Sequence, residues 1–554
     1  MLGIAFYEVT ALAVAAFVIY RSHRAAKRYS QRVKYLIELE DYCLELRHRY
    51  GKRRVLSDAV FASFDPKRKR LRDFSYGMTR TFGNDRAEGM TARSYGEMLS
   101  EPYEKLLVSV CGLVDEYGDG GEGSFEETVL KIVIDIREER RHLAKRAHGF
   151  KGLAATAAIP CLFVRALGNW GIDTIPSLLT FYHGRGGTYL RCIILILSFM
   201  CGVAVEILAD PGTFRDSFVR LGKRAGELLI PGRTFKTMND RLRTRLDKLD
   251  IRIGVGKIRF LSFAFAALFF VVSFVSVVFG HIDMKHDYVF DTSDIENSLG
   301  VADSATINAA RRVIPKLMEN TTGGVAHYTD DELIGEITEA GVRSMEDAAL
   351  VAMEYRKRLT SYGEEKIDFS DLAFILIVGA IGWFMPLAAV AVLGIVMDSR
   401  VKEEVMQFEA VIDMEKDVNG MTVPIMLESM LCFASVTRGA LIKTIMDYNT
   451  NEERAFNHLC EFGDDRSIGR LAVFFKMTDM LGIKHAFDEV SAELDGMREE
   501  RSLDRSIRLE DEVMLAGILG ILPGGVVVFG YLLVPFIARA LEMFNSYSDS
   551  LGMI

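Results

Sequence analysis

Two short charge runs are the residues whose types and spacing most invite a chemical reading. Arg137-Glu138-Glu139-Arg140 and Arg498-Glu499-Glu500-Arg501 each interleave cations and carboxylates within about one helical turn. Carboxylates spaced this way pair with arginines three or four residues off along a helix surface; an acid–base pair needs a cleft instead. Arg137, Glu138, Arg140, Arg498, Glu499 and Arg501 are therefore taken as candidate partner-contact residues, beside the plainer reading of a solvated helix face. The glycine-rich run Tyr117-Gly118-Asp119-Gly120-Gly121-Glu122-Gly123 lacks the Gly-Lys-Ser/Thr ending of a phosphate cradle. Its two carboxylates would repel phosphate, so it reads as a turn between helices. His281, Asp283 and His286 are close enough to be weighed as metal ligands, but no further ligand cluster supports them. They read as ordinary residues of a juxtamembrane loop. There is no Walker motif, no HExxH and no Gly-x-Ser-x-Gly. No catalytic, cofactor-binding or metal-ligating residue is assigned, and the chain reads as non-enzymatic.

What must position these runs is a membrane. The chain is 49% hydrophobic yet 26% charged, which suits membrane helices alternating with soluble segments better than a carrier buried throughout. Six crossings are expected. Residues 1–20 form an N-terminal anchor: the basic block RSHRAAKR follows the apolar run, the reverse of a signal peptide. Positive charge on the cytosolic side then puts the N-terminus outside. Glu8 is expected to face protein, since a carboxylate in lipid is costly. Residues 21–151 are a first cytosolic helical bundle and 152–208 a transmembrane hairpin. Pro160 and Arg165 interrupt that hairpin, and Arg185 and Arg191 run against the charge rule on its outer side. Residues 209–259 are a basic cytosolic linker, 260–280 a crossing, 281–370 an acidic extracytoplasmic segment and 371–397 a crossing kinked at Pro386. A second cytosolic bundle at 398–511 leads into the last crossing, within 512–554, and an extracytoplasmic C-terminus. In that crossing Gly520 and Gly524 form a small-xxx-small face suited to close helix packing.

Charge and cysteine usage fit this layout. Residues 281–370 carry about 18 acidic and about 9 basic side chains, so they hold the whole net charge of −9 and the rest balances. Nucleic acid is excluded as a partner on that ground. The cysteines (Cys43, Cys111, Cys161, Cys192, Cys201, Cys432 and Cys460) form no CxxC, and none falls in the outer segment. Thiols on the cytosolic side or in lipid imply no disulfide framework. The clear crossings at 261–280, 372–397 and 513–537 carry no ionisable residue to bind a cargo, which weakens a transporter. The alternative kept beside the main reading is an envelope sensor or transporter with 281–370 as its ligand domain.

The two charge runs belong to a longer internal repeat. Phe125-Glu126-Glu127 answers Phe487-Asp488-Glu489, the arginine–glutamate runs follow at similar spacing, and an apolar stretch with Pro160 or Pro523 follows each. This reads as two copies of one helical module, each ending in a membrane helix. At these residues the chain resembles the type II secretion system F family, the inner-membrane platform proteins of type II secretion, of type IV and Tad pili and of the archaeal flagellum. Gln407-Phe408, the helix around Glu428–Ala440, and Ile483-Lys484-His485-Ala486-Phe487 are similar to Tad-type relatives. Together the similarity covers both cytosolic domains and most crossings. The N-terminal anchor and the outer insertion depart from the smaller members, and the layout resembles two platform subunits fused in one chain. The resemblance implies an all-α polytopic cell-membrane protein acting in pilus assembly or protein secretion. Its implied partners are a cytosolic secretion or pilus ATPase, pilin-like subunits, the lipid bilayer and further copies of itself as a homo-oligomer. It implies no cofactor and no catalytic residue.

Overall fold

A computed structural model of the chain describes residues 2–83, 89–119, 123–210, 255–292, 295, 299, 303–324, 327–342, 344–434, 437–448, 450–460 and 466–552; within some helices, among them 393–400 and 488–502, it describes the backbone alone. The basic linker is outside the described residues over 211–254. Everything described is helix or connection, with no strand among the described residues. Helices α1 (Leu2–Arg53), α2 (Leu56–Ala62), α3 (Arg72–Phe82), α4 (Ala92–Met98), α5 (Pro102–Tyr117) and α6 (Ser124–Gly149) build the first soluble segment. Helices α7 (Leu153–Ala158), α8 (Pro160–Thr174), α9 (Leu179–Tyr182) and α10 (Arg185–Ala209) form the hairpin. Then come α11 (Val255–Phe290), the helices α12 (Ser304–Thr322), α13 (Asp330–Glu339) and α14 (Met345–Glu364), and the long α15 (Phe369–Glu415). The second soluble segment holds α16 (Val423–Phe433), α17 (Arg438–Tyr448), α18 (Glu452–Cys460) and α19 (Arg466–Leu481). It ends in α20 (Ile483–Gly525), which passes through a π-helical stretch at Val526–Leu533 into α21 (Val534–Gly552).

Among the described residues, five helices are long and apolar enough to cross a membrane, or six if the bent pair Ser124–Ala158 with Pro160–Thr174 makes one span. The spans leave large apolar side chains such as Val9, Leu12, Phe263, Leu376 and Ile521 exposed, as a lipid-facing surface requires. The bend of 41° falls where Pro160, with no amide to give, opens α8 after the left-handed Gly152 (φ +87°) has broken the chain from α6. Within the glycine-rich run Gly184-Arg185-Gly186-Gly187, the helix resumes at Arg185. Gly187 sits so close to the Tyr182 carbonyl that an added Cβ would lie 2.4 Å from it.

Three helices run without a break from a stretch long and apolar enough to cross a membrane into the body around the larger core. In α1 the apolar first half gives way to Leu36, Leu39, Cys43, Leu46 and Tyr50, all buried, at alternating steps of three and four residues that keep one face on the core. α15 and α20, 47 and 43 residues long, join a span to the second soluble segment. Pro386 lies inside α15. The two soluble segments share one hydrophobic core: Leu39, Leu107, Phe125 and Ile132 belong to the same buried cluster as Phe408, Met426, Phe475 and Phe487. Tyr103 and Phe433 meet edge to face at 5.3 Å, and Lys131 Nζ donates to the Asp413 carbonyl at 3.1 Å.

At the far end of the spans, α12, α13 and α14 close a second, smaller core around Ile314, Leu317, Ile337, Val351 and Tyr355. Residues 281–290, expected as a juxtamembrane loop, are the last turns of α11. The helix continues because His281 and Asp283 are buried there against neighbouring elements. No group of three potential metal ligands exists among the described residues, and the His286 side chain is half exposed.

Candidate functional site

The candidate region is the boundary where the spans enter the soluble body. On α6, Phe125, Val129, Ile132, Val133 and Ile136 fill the core, which sets Arg137 and Arg140 toward α1. There they grip one carboxylate: Arg137 Nε is 2.5 Å from Glu40 Oε1, and Arg140 Nη1 is 3.0 Å from Oε2. Glu40 is buried, so this clamp ties the first charge run to the N-terminal helix 97 residues away in sequence. Glu138 points to solvent, and Glu139 lies 4.0 Å from Arg32. Arg498, Glu499 and Arg501 are carried by α20, and their side chains are outside the described set. Just beyond them, Arg505 lies near the pair formed by Tyr103 and Asp135, whose hydroxyl and carboxylate are 2.8 Å apart. Burial pushes the Asp135 carboxyl up to about 6, opposed by the Tyr103 hydrogen bond and the Arg505 charge.

Nearer the membrane, Arg146 is the residue that binds the elements together. Its guanidinium donates to the Leu208 and Ala209 carbonyls at 2.6 and 2.9 Å and to Glu512 Oε2 at 2.9 Å. One buried cation thus caps the C-terminus of α10, where the helix dipole favours positive charge, and grips α20 at the foot of the last crossing. Around it Arg21 meets Glu206 at 2.7 Å and Arg28 meets Asp210 at 3.5 Å. Arg146 escaped the sequence reading because nothing near it in sequence marks a basic residue in the last turn of α6 as different from its neighbours. Its partners lie 62 to 366 residues away.

Above this collar the last crossing packs on the broken segment. A Cβ at Gly149 would meet Val513 at 2.7 Å; one at Gly520 would meet Thr156 Oγ1 at 2.6 Å and the Leu153 carbonyl at 3.0 Å; one at Gly524 would sit 3.5 Å from Pro160 Cγ. Positions rise together along the two strips, so α6, α7 and α8 lie alongside α20 in the same direction. Glu8, expected to face protein, finds Arg165: Arg165 Nη1 holds both Glu8 oxygens at 2.7 Å.

At the end of the spans nearest α12, α13 and α14, His281 is set between two acids. Nδ1 is 2.6 Å from Glu365 and Nε2 is 2.9 Å from Asp371, and the Tyr189 hydroxyl also bonds Asp371. Arg185 closes the group, 3.4 Å from Glu365 and 3.5 Å from Asp368. A cavity of about 220 Å³ opens beside it between α9, the end of α11 and α14, with His183, Asp287 and Arg358 in its wall. Comparison of the chain with known protein families, curated proteins and solved structures finds no match.

Proposed function

We propose that this chain is a non-enzymatic inner-membrane platform of a pilus or type II-like secretion machine, passing movement from a cytosolic secretion ATPase to pilin or cargo assembly. The observation that carries the reading is mechanical: α1, α15 and α20 each run unbroken from a span into one shared soluble core. Force applied to that body reaches the bilayer along stiff helices. The side-by-side course of α6–α8 and α20 supports the internal repeat, since the segments in contact occupy matching places in the two copies. Both cytosolic bundles, the basic linker and the Arg498-Glu499-Glu500-Arg501 run are the surface on which the ATPase acts, with N- and C-termini extracytoplasmic and the platform working as a homo-oligomer. Deleting the gene is expected to abolish a surface filament or a secreted protein. Reversing Arg498 and Arg501 together (Arg498→Glu, Arg501→Glu) is expected to do the same at normal protein abundance. Unchanged filaments and secretion after deletion would overturn the reading; normal assembly in the double variant would remove only the motor contact. The cavity beneath the outer helices favours the second reading, a sensor or transporter with 281–370 as its ligand domain.

A further inference from the structure

The collar where α1, α6, α10 and α20 meet sorts its charges by direction. Its half-buried acids are taken: Glu206 by Arg21, Asp210 by Arg28 and Glu512 by Arg146. Its outward cations are not. Arg24 and Lys27 on α1 are exposed, and so are Arg141 and Lys145 on α6 and Lys151 just after it. None of these five side chains has a hydrogen bond or an ion pair among the described residues. No acidic residue lies within 21–37 or 140–152, so the positive charge on this part of α1 and α6 stands unopposed along the chain.

The residues directly above Arg24 and Lys27 point to the partner. Val9, Ala13, Ala16, Tyr20, Arg24 and Lys27 follow one another at steps of three and four residues, so they form one strip along α1. All six are exposed. The strip is apolar over 9–20 and basic from Arg24 on. Its apolar part is about 16 Å long at ~1.5 Å per residue, close to the ~15 Å depth of one leaflet's hydrocarbon. Arg24 and Lys27 fall about 6 and about 10 Å beyond Tyr20, where their long side chains reach a headgroup layer roughly 5–7 Å thick. A phospholipid has the same order, acyl chain and then phosphate. A soluble acidic partner matches the basic end alone.

We propose that this face of α1 seats an anionic phospholipid, its acyl chain along residues 9–20 and its phosphate held by Arg24 and Lys27. Arg141, Lys145 and Lys151 add to the attraction from α6, which packs beside α1. Because α1 runs unbroken from the strip into the larger core, the lipid holds that body against the bilayer surface.

The test uses the purified full chain in neutral-detergent micelles at low salt, titrated with phosphatidylglycerol or phosphatidylcholine. Bound lipid is counted by native mass spectrometry, and the thermal unfolding midpoint is read in parallel. Phosphatidylglycerol is expected to bind more tightly than phosphatidylcholine, and the preference to shrink as salt is raised. A cation lost at a lipid surface weakens binding about fivefold, so Arg24→Gln with Lys27→Gln is expected to weaken phosphatidylglycerol about twenty-five-fold. Should the double variant fail to fold, either single substitution carries the same test at about fivefold. Lys67→Gln with Lys69→Gln, an equal charge change at two exposed lysines between α2 and α3, is expected to leave binding unchanged. Equal affinity for the two lipids in the unaltered chain would overturn the proposal and leave the cations to an acidic protein surface. Undiminished phosphatidylglycerol binding in the α1 variants would overturn it too, and so would equal weakening in the Lys67 and Lys69 variant, which assigns the effect to net charge. Inorganic phosphate raising the midpoint as far as phosphatidylglycerol does would overturn it in favour of a free anion.

Discussion

Glu415 closes the long helix α15 inside the shared core, and its side chain is fully buried. Ser429 Oγ donates to Oε1 at 2.6 Å, while Oε2 has no hydrogen-bond partner. Burial pushes the carboxyl up to about 8 from its ordinary 4.5, the Ser429 bond opposing only part of that. The folded chain therefore holds this proton more tightly than the unfolded chain. The stability it contributes is complete below pH 4.5 and is lost as pH rises toward about 8. At ~1.4 kcal/mol per unit the ceiling is about 5 kcal/mol, of which roughly 2–3 kcal/mol falls between pH 5 and 7. Glu415→Gln keeps the shape and the acceptor for Ser429 but cannot titrate. Denaturant unfolding of the detergent-solubilised protein at pH 5, 6, 7 and 8 should show wild-type stability falling more steeply than that of the variant, by about that amount. Glu104 and Asp135, also raised by burial to about 7 and about 6, titrate in both proteins and cancel in the difference. Equal slopes for the two proteins would refute the reasoning.

Three further outcomes follow from the same geometry. Glu40→Ala leaves Arg137 and Arg140 facing an empty, largely buried position and should cost about 1–3 kcal/mol of stability, discounted because both arginines are partly exposed; an unchanged denaturation midpoint would dismiss the clamp. Gly520→Leu drives a side chain into the Leu153 carbonyl and should destabilise by at least about 1–3 kcal/mol, while Gly517→Leu on the same helix, with nothing within 4 Å, should be nearly neutral in the same thermal assay. A cysteine placed by Asp330→Cys in a cysteine-free chain should be labelled by a membrane-impermeant thiol reagent in intact cells, and protection there would invert the expected topology.

The helical class and the sites of the spans at 261–280, 372–397 and 513–537 were legible in sequence because bilayer thickness sets a run of about 20 apolar residues. The spacing of Leu36, Leu39, Cys43, Leu46 and Tyr50, which keeps one face of α1 on the core, is likewise a local property. Helix α13 has a local signature: Thr329 and Glu332 form a capping box at its start. Other features were not local. That α15 runs 47 residues without stopping depends on Glu415 and its neighbours being buried by another segment. That Arg137 and Arg140 turn inward depends on where α1 places Glu40, and that Gly520 is needed depends on where the chain brings Leu153. Arg146, Arg165 and Arg191 are alike on the page of letters, yet one caps a helix, one pairs with Glu8, and one has no acid within ion-pair distance among the described residues. Hydrophobic periodicity is a property of neighbours along the chain, so sequence determined which segments enter the membrane and which face of each is apolar. Charge compensation is a property of neighbours in space, and only the tertiary structure decided it.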